Sequence, residues 1–144
     1  MTISSVYFRT FVHATEDEGK VLQALKNVSG LDEYHKDVTT GYHGNKILVL
    51  EGNLKDKKAI KRFFSSFSKD DIRALIDTIE SRVDDECQIF ARIDKQKAYL
   101  GELVLTKGDD IISVRGKVQT YPKKREVAIR NVTEFLEKLA DGKD

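Results

Sequence analysis

Four residues near the start of the chain, Tyr7, Arg9, Phe11 and His13, occupy alternate positions. If they lie on a strand they share one face, because successive strand side chains point to opposite sides. Phe90 and Arg92 repeat the pattern, and Arg115, Lys117, Gln119 and Tyr121 extend it. Rings interleaved with cations suit unpaired RNA, whose bases gain about 1–3 kcal/mol on an aromatic face while arginine and lysine meet phosphates. The same pattern also fits a second core layer or a dimer interface, with Phe11 and Phe90 covered and the cations solvated at the rim.

Two further stretches present charge. RIDKQKAYLG (92–101) lies between the alternating runs CQIFARI and YLGELVL, and it reads as a hairpin tip presenting Lys95, Gln96 and Lys97, with Tyr99 just after. Lysine at such a tip meets an acidic ligand or merely keeps an edge soluble. TYPKKRE (120–126) adds Tyr121, Lys123, Lys124 and Arg125. If strands at 87–94, 98–106 and 110–121 form a meander, Lys95, Lys97, Lys123, Lys124 and Arg125 come together as one basic cluster.

Bond-making chemistry finds little support. His13, His35, His43 and the single Cys87 have no metal-ligand spacing. Glu16 and Asp17 beside His13 suit a helix N-terminus, and Asp94 suits a turn. GYHG (41–44) precedes a strand rather than joining two helices, and GYHGNK has neither the spacing nor the Ser or Thr of a phosphate-binding loop. No catalytic residue, metal or cofactor is expected.

The elements that must position these residues follow from periodicity. The chain has 144 residues, 40% hydrophobic and 34% charged, and reads as one domain over 1–144 with a single core. No apolar run approaches a membrane span, and no secretory signal is visible; a cytoplasmic protein is expected. Net charge is only +1, but charge is sorted locally. Lys55, Lys57, Lys58, Lys61 and Arg62 fall together, as do the acids from Asp70 to Glu86. A strand over 3–13 buries Val6, Phe8 and Val12. Thr15 and Glu18 form a capping box for a helix ending at Gly30. Residues 32–40 read as a weak strand or loop, GYHGN as a turn, and KILVLEGNL as a strand. Two helices follow, capped by Asp56 and Ser68, then the three-strand meander and a closing helix at about 123–140 after Pro122. The order β-α-ββ-αα-βββ-α indicates an α+β fold, its mostly antiparallel or mixed sheet covered by helices on one face.

Taken together, FRTFVHATED (8–17), GYHGNKI (41–47), RIDKQKAYLGEL (92–103) and KVQTYPKKRE (117–126) resemble a family of small archaeal proteins often called predicted exosome subunits or RNA-binding proteins. The resemblance implies a fold similar to the large-subunit ribosomal protein that binds 5S RNA. It also implies RNA binding beside RNA-processing or ribosomal machinery. It carries over His13, Tyr42, Gly44, Asn45, Arg92, Lys95, Gln96, Tyr99, Tyr121, Pro122 and Arg125, of which Gly44 and Pro122 also have backbone reasons to be there. The expected RNA-binding set is therefore Arg9, Phe11, His13, Arg92, Lys95, Gln96, Lys97, Tyr99, Arg115, Lys117, Tyr121, Lys123, Lys124 and Arg125. A homo-oligomer or another protein docked on the aromatic face is the alternative.

Overall fold

The computed structural model describes residues 2–41 and 43–143. Among these are strands β1 (Ile3–Val12), β2 (His35–Thr40), β3 (Lys46–Leu54), β4 (Gln88–Asp94) and β5 (Ile111–Val118). The helices are α1 (Glu18–Ser29), α2 (Lys57–Ser65), α3 (Lys69–Asp77), α4 (Ile79–Arg82), α5 (Lys95–Tyr99) and α6 (Arg125–Asp141). The strands form one antiparallel sheet in the order β2-β3-β1-β5-β4, so the fold is α+β and not a closed barrel.

The expected strand at 98–106 is absent, and a short helix, α5, ends where it was to begin. The hairpin of 87–94 with 98–106 does not form, because the Asp94 side chain caps α5 by accepting from the Lys97 amide at 2.9 Å. Gly101, at φ 86°, takes the left-handed conformation just past the helix. Beyond it, the alternation of Leu103 to Leu105 supplies only an isolated bridge from Leu105 to Ile93. β4 therefore neighbours β5 directly: the Lys95 amide donates to the Asp110 carbonyl at 3.1 Å, and the Val118 amide to the Cys87 carbonyl at 2.9 Å. The middle strand on which the joint basic cluster depended is absent, and the reasoning for that cluster falls with it.

Packing divides the chain into two compact units, each assembled from separated stretches. One comprises the start of the chain to Val6, Leu54–Ala91, and Arg115 onward. Its core is aromatic: the Phe63 ring centroid lies 5.0 Å from that of Phe64 and 5.5 Å from that of Phe67, and Phe64 meets Phe135 of α6 at 5.7 Å. Ile72, Leu75, Val132 and Leu136 complete it. Gly116 is small for a packing reason: a Cβ there would sit 3.0 Å from Ile89 Cγ2 and 3.9 Å from Phe64 Cζ. Asp56 caps α2 and Ser68 caps α3, through the Ala59 and Asp71 amides at 3.0 and 3.1 Å. Such a cap contributes about 1 kcal/mol.

The other unit comprises Tyr7–Asn53 and Arg92–Val114. α1 buries Val21, Ala24, Leu25 and Val28 and packs on α5. Asn27 Nδ2 donates to the carbonyls of Ala98 and Tyr99 at 3.0 and 3.1 Å, satisfying the open end of α5. The cap of α1 is Asp17 rather than Thr15: its carboxylate accepts from the Lys20 amide at 3.1 Å, while Glu16 accepts from the His13 amide at 3.1 Å. β1 buries Phe8, Thr10 and Val12 on one side. Thr10 is tolerated there because its hydroxyl donates to the Ile111 carbonyl at 2.9 Å. β2 pairs antiparallel with β3, His35 opposite Glu51 and Thr40 opposite Lys46. The connecting turn has Gly44 at φ 79°, a left-handed position suited to glycine.

Candidate functional site

Alternation along β1 puts Arg9 and Phe11 on the side opposite its buried residues. The Arg9 guanidinium lies over the Phe11 ring, 5.0 Å from its centroid. His13 continues the row, its ring 6.5 Å from that of Phe11. Arg9 and His13 are exposed and Phe11 is half-buried. A cation over a ring at such a site contributes about 0.5–1 kcal/mol and holds both groups in place before any ligand arrives.

Two recesses open along this row. One, about 340 Å³, is walled by Arg9 and Phe11, by Asp37, Val38 and Thr39 of β2, and by Val49 and Glu51 of β3. The second, about 200 Å³, is lined by His13, Ala14 and Thr15 together with Gly41, His43, Asn45 and Ile47. It brings together residues from the distant segments 8–17 and 41–47. Tyr42 lies outside the described residues. The β2 and β3 walls were missed from sequence, although Ile47, Val49 and Glu51 alternate in KILVLEGNL and were a usable signal. Glu51 accepts a hydrogen bond from the Tyr7 hydroxyl, which ties β3 to β1 along this face.

The other expected residues separate by environment. Arg92 is exposed and reaches Asp109 at 3.5 Å. Lys97 is exposed, with Glu102 3.9 Å away, and Tyr99 is partly exposed beneath the Lys20 ammonium at 5.8 Å. In the first-described unit, Phe90, Arg115 and Lys117 are exposed on the unburied sides of β4 and β5. Tyr121 is 97% exposed, and Lys124 is exposed at the N-terminus of α6. Lys123 pairs with Glu86 at 3.1 Å, and that hydrogen bond and charge raise the lysine's pKa.

One expected placement is corrected. Lys95 is not presented at a hairpin tip but is only 2% exposed. Its ammonium donates to the Phe11 carbonyl at 2.9 Å, to Glu16 at 3.0 and 3.1 Å, and pairs with Asp110 at 3.0 Å. Three partners exhaust its three donors. Gln96 joins the same network, its amide 2.8 Å from Asp110. Burial alone would raise the Asp110 pKa, but hydrogen bonds from Gln96 and Lys95, with the charges of Lys95 and His13, hold it below its ordinary value. Arg125 is likewise committed: Nε donates to the Val83 carbonyl at 2.9 Å and Nη2 to the Glu80 carbonyl, serving orphan carbonyls around the end of α4.

The chemistry of the Arg9–Phe11–His13 row is that of a cation beside exposed ring faces. Among the described residues no group of three or more His, Cys, Asp or Glu is placed to hold a metal ion. No helix among them is long and apolar enough to cross a membrane.

Comparison with known proteins adds two kinds of likeness. A family model described as RNA binding matches residues 5–118. The RNA-binding protein PAB1135 of Pyrococcus abyssi is 41% identical over 143 residues, covering 92% of this chain and 93% of that protein. Among solved structures, Mth689, a DUF54 protein from Methanothermobacter thermautotrophicus, superposes with a TM-score of 0.85 at 38% identity, over 94% of this chain and 99% of the other. AF2318 from Archaeglobus fulgidus gives 0.80 at 36% identity, over 95% and 99%.

Proposed function

The chain belongs to the RNA-binding family whose model spans residues 5–118, and from that premise we propose that it holds single-stranded RNA on the Arg9–Phe11–His13 row without catalysing a reaction. The observation that carries this reading is the row itself: a ring, a cation over it and a second ring system, opening on two recesses of about 340 and 200 Å³. A base enters against Phe11, Arg9 swings toward phosphate, and His13 with Asn45 offers hydrogen-bonding groups to the next nucleotide. Few groups face base edges, so sequence preference is weak and affinity comes chiefly from the backbone. Such a protein works in the cytoplasm beside RNA-processing or ribosomal machinery, delivering or protecting RNA.

The test is fluorescence anisotropy with labelled oligo(U), oligo(A) and a duplex of equal length, each titrated at several salt concentrations. The expected result is preference for the single strands and affinity that falls steeply with salt. Binding that ignores salt, or an equal grip on the duplex, removes the row from the model.

A further inference from the structure

A second surface lies on the helices. Phe135 and Leu139 of α6, one turn apart, floor an open recess of about 470 Å³, rimmed by Lys57, Lys58 and Lys61 of α2 and Lys138 of α6. All four lysines are exposed, and among the described residues none of them makes an ion pair or a side-chain hydrogen bond. Some exposed lysines meet acids, as in Lys36 with Glu18 at 3.2 Å and Lys123 with Glu86 at 3.1 Å. Here they are left over, around apolar side chains.

RNA would satisfy the lysines but would leave the floor wet. Leu139 offers no ring to stack on, and the Phe135 ring is engaged with Phe64 at 5.7 Å, the two planes 88° apart. A helix with leucine-like side chains on one face and carboxylates along its flanks satisfies both features at once, since the apolar face fills the recess and each carboxylate meets a lysine. We propose that this recess docks an acidic amphipathic helix of a partner protein. The inference is independent of the RNA reading and uses none of its residues.

The probe is a fluorescein-labelled peptide with leucine at i, i+3, i+4 and i+7 and glutamate at most other positions. Its control has the same composition with the leucines scattered. The patterned peptide is expected to bind the full chain at least roughly tenfold more tightly than the scattered one, about 1.4 kcal/mol. Lys58→Glu with Lys61→Glu, a pair of exposed positions whose folding is checked by circular dichroism, should weaken it by a further factor of roughly ten, while Lys58→Arg with Lys61→Arg retains it. Affinity for oligo(U) should stay unchanged in the glutamate pair. Equal binding of both peptides, or no binding of the patterned one, overturns the proposal. An oligo(U) loss matching the peptide loss reassigns the recess to nucleic acid. Self-association in analytical ultracentrifugation that the glutamate pair abolishes reassigns it to a second copy, and either outcome defeats the inference.

Discussion

Replacing Lys95 with methionine separates a residue that touches RNA from one that builds the site. The substitution keeps the aliphatic stem and removes an ammonium that holds the Phe11 carbonyl, Glu16 and Asp110 at 2.9–3.1 Å. Breaking a fully buried pair from one side costs about 3–5 kcal/mol, because the orphaned charge stays behind. Here the Glu16 and Asp110 side chains are 20% and 50% exposed and regain water, so the expected cost is about 2–3 kcal/mol. At roughly 3 °C per kcal/mol for a chain of this length, Tm falls by about 6–9 °C. Urea unfolding followed by circular dichroism measures the free energy directly. Adding Glu16→Gln and Asp110→Asn should restore much of the loss, since neutral amides leave no charge uncompensated. RNA binding below the transition should keep its salt slope. A stability within about 0.5 kcal/mol of the parent, together with a shallower slope, would refute this reasoning and return Lys95 to the RNA surface.

Five other outcomes are expected. Phe11→Ala should weaken oligo(U) binding by about 1–3 kcal/mol with little change in salt slope, whereas Arg9→Ala should lower the slope by about one phosphate contact, both read by anisotropy. Asp110, with its folded pKa depressed, contributes stability that is fully present above the unfolded value and lost as pH falls through the folded one. Asp110→Asn should therefore flatten the acid limb of a stability–pH curve below about pH 4. Arg125→Ala should cost about 1.5–3 kcal/mol in urea unfolding by orphaning the Val83 and Glu80 carbonyls, and should leave RNA affinity unchanged. Because Lys95 and Arg125 serve separate networks, their stability losses should add within about 0.5 kcal/mol, and strong coupling would show a link that their hydrogen bonds do not contain.

What the sequence disclosed was local. The alternation of Val6, Phe8 and Val12, the apolar stripe ending in Phe67, and the caps at Asp56 and Ser68 are each written within a few residues, and the fold honours them. The segment 95–106 misled because YLGELVL alternates, and period-two hydrophobicity outweighed a cap signal that was present at Asp94. The Thr15 cap erred by two residues for a similar reason: Thr15, Asp17 and Glu18 all carry capping chemistry, and only Asp17 is placed to use it. Lys95 was illegible for a different reason. Its partners Glu16 and Asp110 are remote in sequence, and a lysine in a charged stretch reads as solvated until the chain folds. Arg9 over Phe11 lay in plain view, whereas the β2 wall did not, because HKDVTT carries almost no burial signal and all six of its residues are exposed.

The division into separated stretches sets a timetable for synthesis. Thr2 presents its carbonyl to the Gln119 amide at 2.8 Å, so Thr2 waits for Gln119 to be made. At about 5–20 residues per second that wait is on the order of ten seconds, far longer than the helices α1 and α2 need to form. The stretch carrying Arg9, Phe11 and His13 is under the same constraint, since its unit closes only when Arg92–Val114 has emerged. A ribosome halted before that point therefore displays a nascent chain whose Arg9–Phe11–His13 row is unbuilt.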